Sequence, residues 1–379
     1  MIYLDNSATT YPKPPAVLRA MTDAVTRYGA NPGRGGYSLA EAADRKLYEC
    51  RSKAADFFGL EQPERLVFTP GCTWSINTVL SGCLRSGDHV IISDLEHNAV
   101  VRPLHALERK GVSVTRAHIV EGDDYSSLIN FRSAIRRNTR MIFCTCASNV
   151  FGIMPPVALL GDLCRRYGLQ FGVDAAQAAG IEPVTAKHTG AQFICAPAHK
   201  GLYGVMGLGI LGINGAELPE PLVFGGTGTL SAQREQPAEL PDRYESGTPA
   251  MPAICALGEG LDFIRRNRRE LIRAHELDIA AHIYDGLSST HGVTLYTARP
   301  QKGTHVPVVS FNMGDMSGSE GAEALARRGI CVRGGYHCAY DAHKAMGTAD
   351  RGTVRVSPSF FTTHADAEAL LQAVNACLR

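Results

Sequence analysis

At 379 residues, 45% hydrophobic and 20% charged, the chain exceeds what one core usually supports and has an ordinary globular composition, so two domains are expected. A net charge of +1 gives no electrostatic case for binding nucleic acid or a membrane surface, and no apolar run reaches the ~18 residues a membrane span needs. The 11 cysteines are scattered, odd in number and lack C-x-x-C, and the N-terminus MIYLDNSATT has no signal-peptide pattern; both point to a reducing cytoplasm and away from a disulfide framework, a zinc ribbon or another metal site.

In chain order, residues 1–12 read as a short extended segment, and Pro12, Pro14 and Pro15 mark a turn into a helix reaching about residue 28. Residues 28–40, YGANPGRGGYSLA, are a glycine-rich loop that carries Asn31 and Arg34 and ends on Ser38 as a helix cap. Residues 66–69 are a short strand and Pro70-Gly71-Cys72-Thr73 a tight turn; Ile76, Val79, Leu80, Cys83 and Leu84 then recur at helical spacing. Such a unit can hold a phosphate through backbone N–H groups and the helix dipole, and a plain strand-to-helix turn reads the same way. Residues 89–93 are the next strand, followed by Asp94-Leu95-Glu96-His97-Asn98. A buried strand at 141–146 precedes Ser148-Asn149-Val150-Phe151-Gly152, where Asn149 suits a turn as well as a site. A helix at 156–167 leads to the apolar run 169–173, then Asp174 and Gln177; a second run, 193–196, precedes His199-Lys200. Strands near 66, 90, 114, 141, 170 and 193, alternating with helical patterns, predict a doubly wound, mostly parallel sheet in an α/β fold.

Ligands in open α/β sheets sit at the carboxyl ends of the parallel strands, so Asp174 and Lys200 are carried to one rim. That pair suits pyridoxal phosphate, which needs a lysine for its Schiff base and a carboxylate against its pyridine nitrogen. Singly, each has a plainer reading: Asp174 as a helix cap, Lys200 as a solvated helix end. With His199 and Gln177 nearby, the cofactor is the better reading. Gly207 to Gly212 fits G-x-G-x-x-G, but its glycines lie inside an apolar run and INGAELPEP after it is turn-like. It reads as a glycine-rich strand, not a dinucleotide site.

Residues 219–249 are rich in Pro, Gly and polar residues and by themselves read as an exposed linker. From about residue 252 the pattern becomes one long helix over 254–287, strands near 293–296, 306–311 and 330–332, and helices near 319–328 and 364–378, a smaller α+β domain. Within it, Arg333 and His337 are cations that can favour a thiolate at Cys338; the plainer reading is an idle thiol. Arg355 alternates within a strand, as a surface arginine or as a bidentate clamp for a carboxylate.

VDAAQ and AHKG resemble the class V aminotransferase group of pyridoxal-phosphate enzymes, in particular its cysteine desulfurases and selenocysteine lyases. The resemblance covers almost the whole chain: LDNSATT, NPGRGGYSL with Tyr37 where a His is usual, GGTG, RYESGTP, and RGGYHC, similar to the R-x-G-x-H-C of a subgroup with a short catalytic-cysteine loop. It implies the type I pyridoxal-phosphate fold, with a large domain at 14–250 and a small one from 1–13 and 251–379. It implies Lys200 as covalent anchor and base, Asp174 at the ring nitrogen, His97 stacked on the ring, Gln177 tuning it, and Asn149 at the phenolic oxygen. Gly71, Cys72 and Thr73 fall at the phosphate, with Cys72 where Thr is common, and His199 beside Lys200. Thr248 falls on the phosphate of a partner subunit, which implies a homodimer. Asn31, Arg333 and Arg355 fall to the substrate and Cys338 is the nucleophile, while Tyr340-Asp341-Ala342-His343 departs from a Pro-Leu-like stretch. The implied reaction removes sulfur from L-cysteine, leaving L-alanine and a persulfide on Cys338 for a sulfur-acceptor protein, as in iron–sulfur cluster assembly. The alternatives are a selenocysteine lyase, another class V enzyme acting on a different amino acid, or a non-catalytic sulfur-carrier scaffold.

Overall fold

The computed structural model describes residues 1–33 and 35–379; Arg34, expected to line the site, lies outside the described residues. The chain opens with a two-residue strand, β1 (Ile2–Tyr3), and two helices, α1 (Pro15–Thr26) and α2 (Ser38–Phe58). α1 begins on Pro15, whose fixed φ and missing N–H suit a first helical turn. Ser38 is not the cap of α2: Tyr37, extended, holds that position with no side-chain hydrogen bond, and Ser38 is the first helical residue.

The large sheet and its helices follow. They are β2 (Leu66–Thr69), α3 (Cys72–Cys83), β3 (His89–Ser93), α4 (Asn98–Glu108), β4 (Ser113–Ala117), α5 (Asp124–Ser133), β5 (Thr139–Thr145), α6 (Val157–Tyr167), β6 (Gln170–Asp174), α7 (Ala186–Thr189), β7 (Phe193–Pro197) and β8 (Gly209–Ile213). The strand order is β2-β8-β7-β6-β5-β3-β4. β4, β3, β5, β6 and β7 pair in parallel, and β8 runs antiparallel to both its neighbours. The expected α/β architecture is borne out; of the 207–212 stretch read as strand, Gly207 and Leu208 lie before it and β8 takes up from Gly209.

Every position of β3, β6, β7 and β8 is buried, as in a sheet covered on both faces. Alternation divides the strands between two cores. Ile91, Ile142, Val173 and Ile194 pack with residues of α2, α6 and α8 (Met251–Asn267). Val90, Ile92, Phe143 and Cys195 pack with α3 and α4.

The single helix expected over 254–287 is two, α8 and α9 (Arg269–Ser288), because Arg268 takes a left-handed φ of 61° and ends the first. β9 (Val293–Leu295), β10 (Val309–Met313), α10 (Gly318–Ala326), β11 (Ile330–Cys331), β12 (Arg333–Gly335), α11 (Tyr340–Ala345), β13 (Thr353–Val356) and α12 (His364–Leu378) complete the chain. The strand expected from 306 starts only at Val309, past Pro307, which has no N–H for a ladder. β12, β13, β10 and β9 form an antiparallel sheet. Ile279, Ile283, Leu370 and Val374 of α9 and α12 pack on Val309 and Phe311 of this sheet. β1 pairs in parallel with β11, so the first residues of the chain join its last third. Among the described residues no helix is long and apolar enough to cross a membrane.

Candidate active site

A cavity of about 740 Å³ opens at the carboxyl rim of the large sheet. Among the described residues, every one expected at the site lines it apart from Asn31 and Thr248.

Asp174 is the last residue of β6 and 3% exposed. Its Oδ1 accepts the Ala176 N–H at 2.9 Å and the Cys72 thiol at 3.7 Å. Burial raises its pKa, against the Ala176 N–H and the Lys200 ammonium. Lys200 lies just beyond β7 with part of its surface open to the cavity. Burial pushes its ammonium below the ordinary range, with Asp174 opposing and Arg355 and Arg333 assisting. Its backbone is strapped down by the N-terminal segment. The His199 carbonyl accepts from Thr10 N (3.1 Å), Thr9 Oγ1 (3.2 Å) and Lys13 Nζ (2.7 Å), and the Lys200 carbonyl from Thr10 Oγ1 (2.9 Å). Gln177 joins in, its Nε2 donating to the Ser7 carbonyl at 3.1 Å. Burial brings Lys13 down to about 8.

Gly71, Cys72 and Thr73, where α3 begins, line the cavity, and a helix N-terminus is the usual seat of an anion. β8 passes close beneath this turn because residue 209 is glycine: a Cβ there would stand 2.2 Å from the Gly71 carbonyl carbon. Cys72 turns its thiol to Asp174, which leaves Thr73 to supply the hydroxyl of the turn. His97 caps α4, its Nδ1 accepting the Ala99 N–H at 3.0 Å, which assigns the ring proton to Nε2. Burial and Lys200 lower His97 to about 4, so the ring is neutral at pH 7.

The last third of the chain closes the cavity. Cys338 is exposed, and it and His337 both hold left-handed backbone, at φ 56° and 51°. Each such non-glycine residue costs roughly 1–2 kcal/mol, so the turn needs ties. Asn98 N donates to the Cys338 carbonyl at 2.7 Å, and Asn149 Nδ2 to the His337 carbonyl at 2.7 Å. Asn149 thus holds the cysteine turn as well as lining the cavity. His337 was expected as a cation beside Cys338, but burial and Arg355 hold it well below its ordinary range, so the ring is neutral. The 340–343 stretch that departs from the family pattern forms α11, whose buried His343 stacks on His337 with ring centroids 5.8 Å apart. Arg333, exposed on β12, is the cation that remains.

Arg355 is no surface arginine: it is 2% exposed, with Nη1 donating to the Asn149 carbonyl at 2.8 Å and Nη2 to Asp5 Oδ1 at 2.6 Å. β12 and β13 pair Arg333 with Arg355 in register, so two guanidinium groups face one cavity. Sequence reasoning missed Asp5 and Lys13, since nothing in a local pattern links residues so far from 355 and 199 in the chain.

Asn31 lies outside this lining, half-buried, its Oδ1 without a partner. Thr248 is exposed in a second cavity of about 700 Å³, which shares Pro70, Trp74, Gly207 and Leu208 with the first. The 219–249 segment runs beside the cavity, so within one chain Thr248 is not part of the first site.

The sequence model of the aminotransferase class-V family matches residues 2–370. A probable cysteine desulfurase of Methanothermobacter thermautotrophicus is 34% identical over 97% of this chain and 92% of its own length. The structure of a cysteine desulfurase from Thermococcus onnurineus NA1 superposes with a TM-score of 0.89 at 30% identity, over 100% of this chain and 94% of that one. The cysteine desulfurase CsdA of Escherichia coli superposes with a TM-score of 0.87 at 25% identity, over 99% of this chain and 94% of that one. With the whole core of the chain matched and the carboxylate, the lysine and the two arginines on one rim, the protein belongs to the aminotransferase class-V family.

Proposed function

We propose that the protein is a pyridoxal-phosphate-dependent cysteine desulfurase that takes sulfur from L-cysteine and leaves L-alanine and a persulfide on Cys338. The observation that carries this reading is one cavity lined by Lys200, Asp174, Arg355 and an exposed Cys338. Relatives across nearly the full length bear that name.

The residues fit the cofactor. His199 Nδ1 and Asn149 Oδ1 are buried at the cavity without protein partners, ready for a polar ligand. The α3 turn would hold the phosphate, Asp174 the ring nitrogen, and Lys200 the aldehyde carbon. When bound, the cofactor supplies an electron sink for the substrate's α-carbon.

The chain supplies the rest. Arg355, fixed by Asp5 and Asn149, and Arg333 bind and orient the substrate carboxylate. Lys200 Nζ, its ammonium destabilised by burial, can be deprotonated and take the α-proton. With the cofactor bound, Asp174 would keep a proton at the ring nitrogen, and His97, neutral, would offer a flat face without adding charge. Cys338 Sγ accepts the substrate's sulfur, and a hydrogen replaces that sulfur on carbon, so cysteine plus thiol balances alanine plus persulfide. A homodimer, a sulfur-acceptor protein and a cytoplasmic setting complete the proposal; free, scattered cysteines suit a reducing compartment.

The test is alanine and sulfide or selenide release from cysteine and selenocysteine side by side. Cys338→Ala is expected to bind cysteine, shown by a change in the cofactor spectrum, and to lose sulfide release by ~100-fold or more. Its loss on selenocysteine is smaller, because selenium leaves carbon more readily. Near-native sulfide release by Cys338→Ala would refute the assignment.

A further inference from the structure

The stretch 340–343, which departs from the family pattern, builds a surface beside Cys338 that the chemistry inside the cavity does not use. Tyr336 and Tyr340 flank the exposed thiol two residues away on either side, and each is 43% exposed. Their rings meet edge to face with centroids 5.3 Å apart. Tyr336 also meets the buried His343 ring at 5.5 Å, and its hydroxyl donates to the Ala349 carbonyl at 3.1 Å. Lys344 Nζ stands 4.8 Å from the centre of the Tyr340 ring. Arg116 Nε donates to Asp341 Oδ2 at 2.7 Å, which ties α11 to β4. The two tyrosines are thus held in place with much of their surface in water. Ordered, exposed tyrosines offer a partner large apolar area with little side-chain freedom left to lose.

The charge around this ledge is one-sided. Arg333 and Lys344 are exposed, and so is Arg102, one turn beyond Asn98, whose N–H bonds the Cys338 carbonyl. Against them stand Asp341, taken by Arg116, and Asp350, next to Ala349. A positive rim attracts an acidic partner and turns a basic one away.

On the desulfurase reading, on which this inference rests, sulfur leaves Cys338 for a second thiol that approaches across this rim. We propose that Tyr336, Tyr340 and Lys344 form the docking ledge for the sulfur acceptor, a protein that presents a cysteine on an acidic segment. In the transfer, the acceptor's thiolate attacks the outer sulfur of the Cys338 persulfide. A sulfur–sulfur bond forms on the acceptor, the bond from the outer sulfur to Cys338 Sγ breaks, and Cys338 leaves as a thiolate. It takes up a proton in place of the one the acceptor thiol gave to solvent, so a persulfide and a thiol have exchanged one sulfur with no net oxidation.

The experiment uses the wild-type holoenzyme, L-cysteine and two synthetic peptides with one cysteine each, flanked by glutamates in the first and by lysines in the second. Mass spectrometry follows the added sulfur on Cys338 and on each peptide. Flanking charge alters a thiol's own reactivity, so each rate is divided by that peptide's rate with a small neutral disulfide. The glutamate peptide is expected to take sulfur about tenfold or more faster than the lysine peptide, by a margin that shrinks as salt is raised. Tyr340→Ser and Lys344→Glu should each slow transfer to the glutamate peptide about tenfold, while sulfide release to dithiothreitol stays at the wild-type rate. Equal corrected rates for the two peptides would overturn the proposal, as would variants that serve the glutamate peptide as well as wild type does. A change of oligomeric state in either variant would assign the ledge to the contact between copies and overturn it as well. Absence of added sulfur on Cys338 after cysteine alone would instead sink the desulfurase reading, and it is seen before any peptide is added. The wild-type comparison decides even if a variant folds poorly.

Discussion

Lys200 lies just past the end of β7 with an ammonium destabilised by burial and a backbone carbonyl tied by Thr10. A lysine whose charged form is disfavoured and whose backbone is held in place is what a covalent cofactor anchor requires. Lys200→Ala is therefore expected to fold, to show no cofactor fixed to protein after borohydride reduction, and to lose turnover. Intact-mass measurement after reduction checks it; a retained cofactor mass in the variant would assign the anchor to another residue. At Cys338 the balance of charge is not what residue types suggest. His337 is adjacent in sequence yet neutral, because burial among Arg355, Arg333 and His343 costs an imidazolium more than it gains. Arg333, the other cation expected beside Cys338, is positioned by its pairing with Arg355 across β12 and β13.

At the scale of elements, the N-terminal segment is the tie between the two sheets. Asp5 fixes Arg355 of β13, Asn6 Nδ2 donates to the Ser357 carbonyl at 2.9 Å, and Thr10 and Lys13 hold the peptide before and at Lys200. We propose that 1–13 with 251–379 forms the small domain and 14–250 the large one, on the strength of the β1–β11 pairing and the separate core beneath β10 and β13. α9 carries a second element-scale consequence. Glu276 is buried, accepts the Tyr203 hydroxyl at 3.1 Å, and is pushed by burial up to about 8. In the unfolded chain it titrates near ~4.3. Between those values the native protein keeps a proton the unfolded chain has lost, so this contribution to stability falls as pH rises from ~4.3 to about 8 and is level above. Glu96, also brought to about 8 by burial, acts in the same sense. Thermal melts of wild type and Glu276→Gln across pH 5 to 8.5 test this: the wild-type midpoint should decline more steeply, and equal slopes would refute it.

At the scale of the molecule, one chain leaves its second cavity open, with Thr248 exposed in it and the exposed side chains of Tyr48, Trp74 and Val223 along its wall. Large apolar side chains gathered around a cleft mark an interaction surface. We expect a homodimer in which Thr248 of one copy completes the anion site at the α3 turn of the other. Sedimentation at working concentration should show a dimer, and Thr248→Ala should weaken cofactor retention on dialysis. A fully active, fully loaded monomer would refute both.

The alternation of apolar runs with helical patterns determined the large sheet, because strands buried on both faces leave a continuous signal in the chain. The ends of those runs located Asp174 at the last residue of β6 and Lys200 three residues past β7. For the same reason β8 was legible as strand from 209 on: its glycines stood inside an apolar run. Motif resemblance placed Cys338, Arg355 and His97, whose roles no local pattern conveys. What only the tertiary structure decided was what each group meets. Asp5 on Arg355 and Lys13 on the His199 carbonyl join residues nearly the length of a domain or more apart. The break at Arg268 and the neutral His337 depend on packing between elements. Burial and neighbouring charge set protonation and access, and both belong to the folded chain, not to the order of its residues.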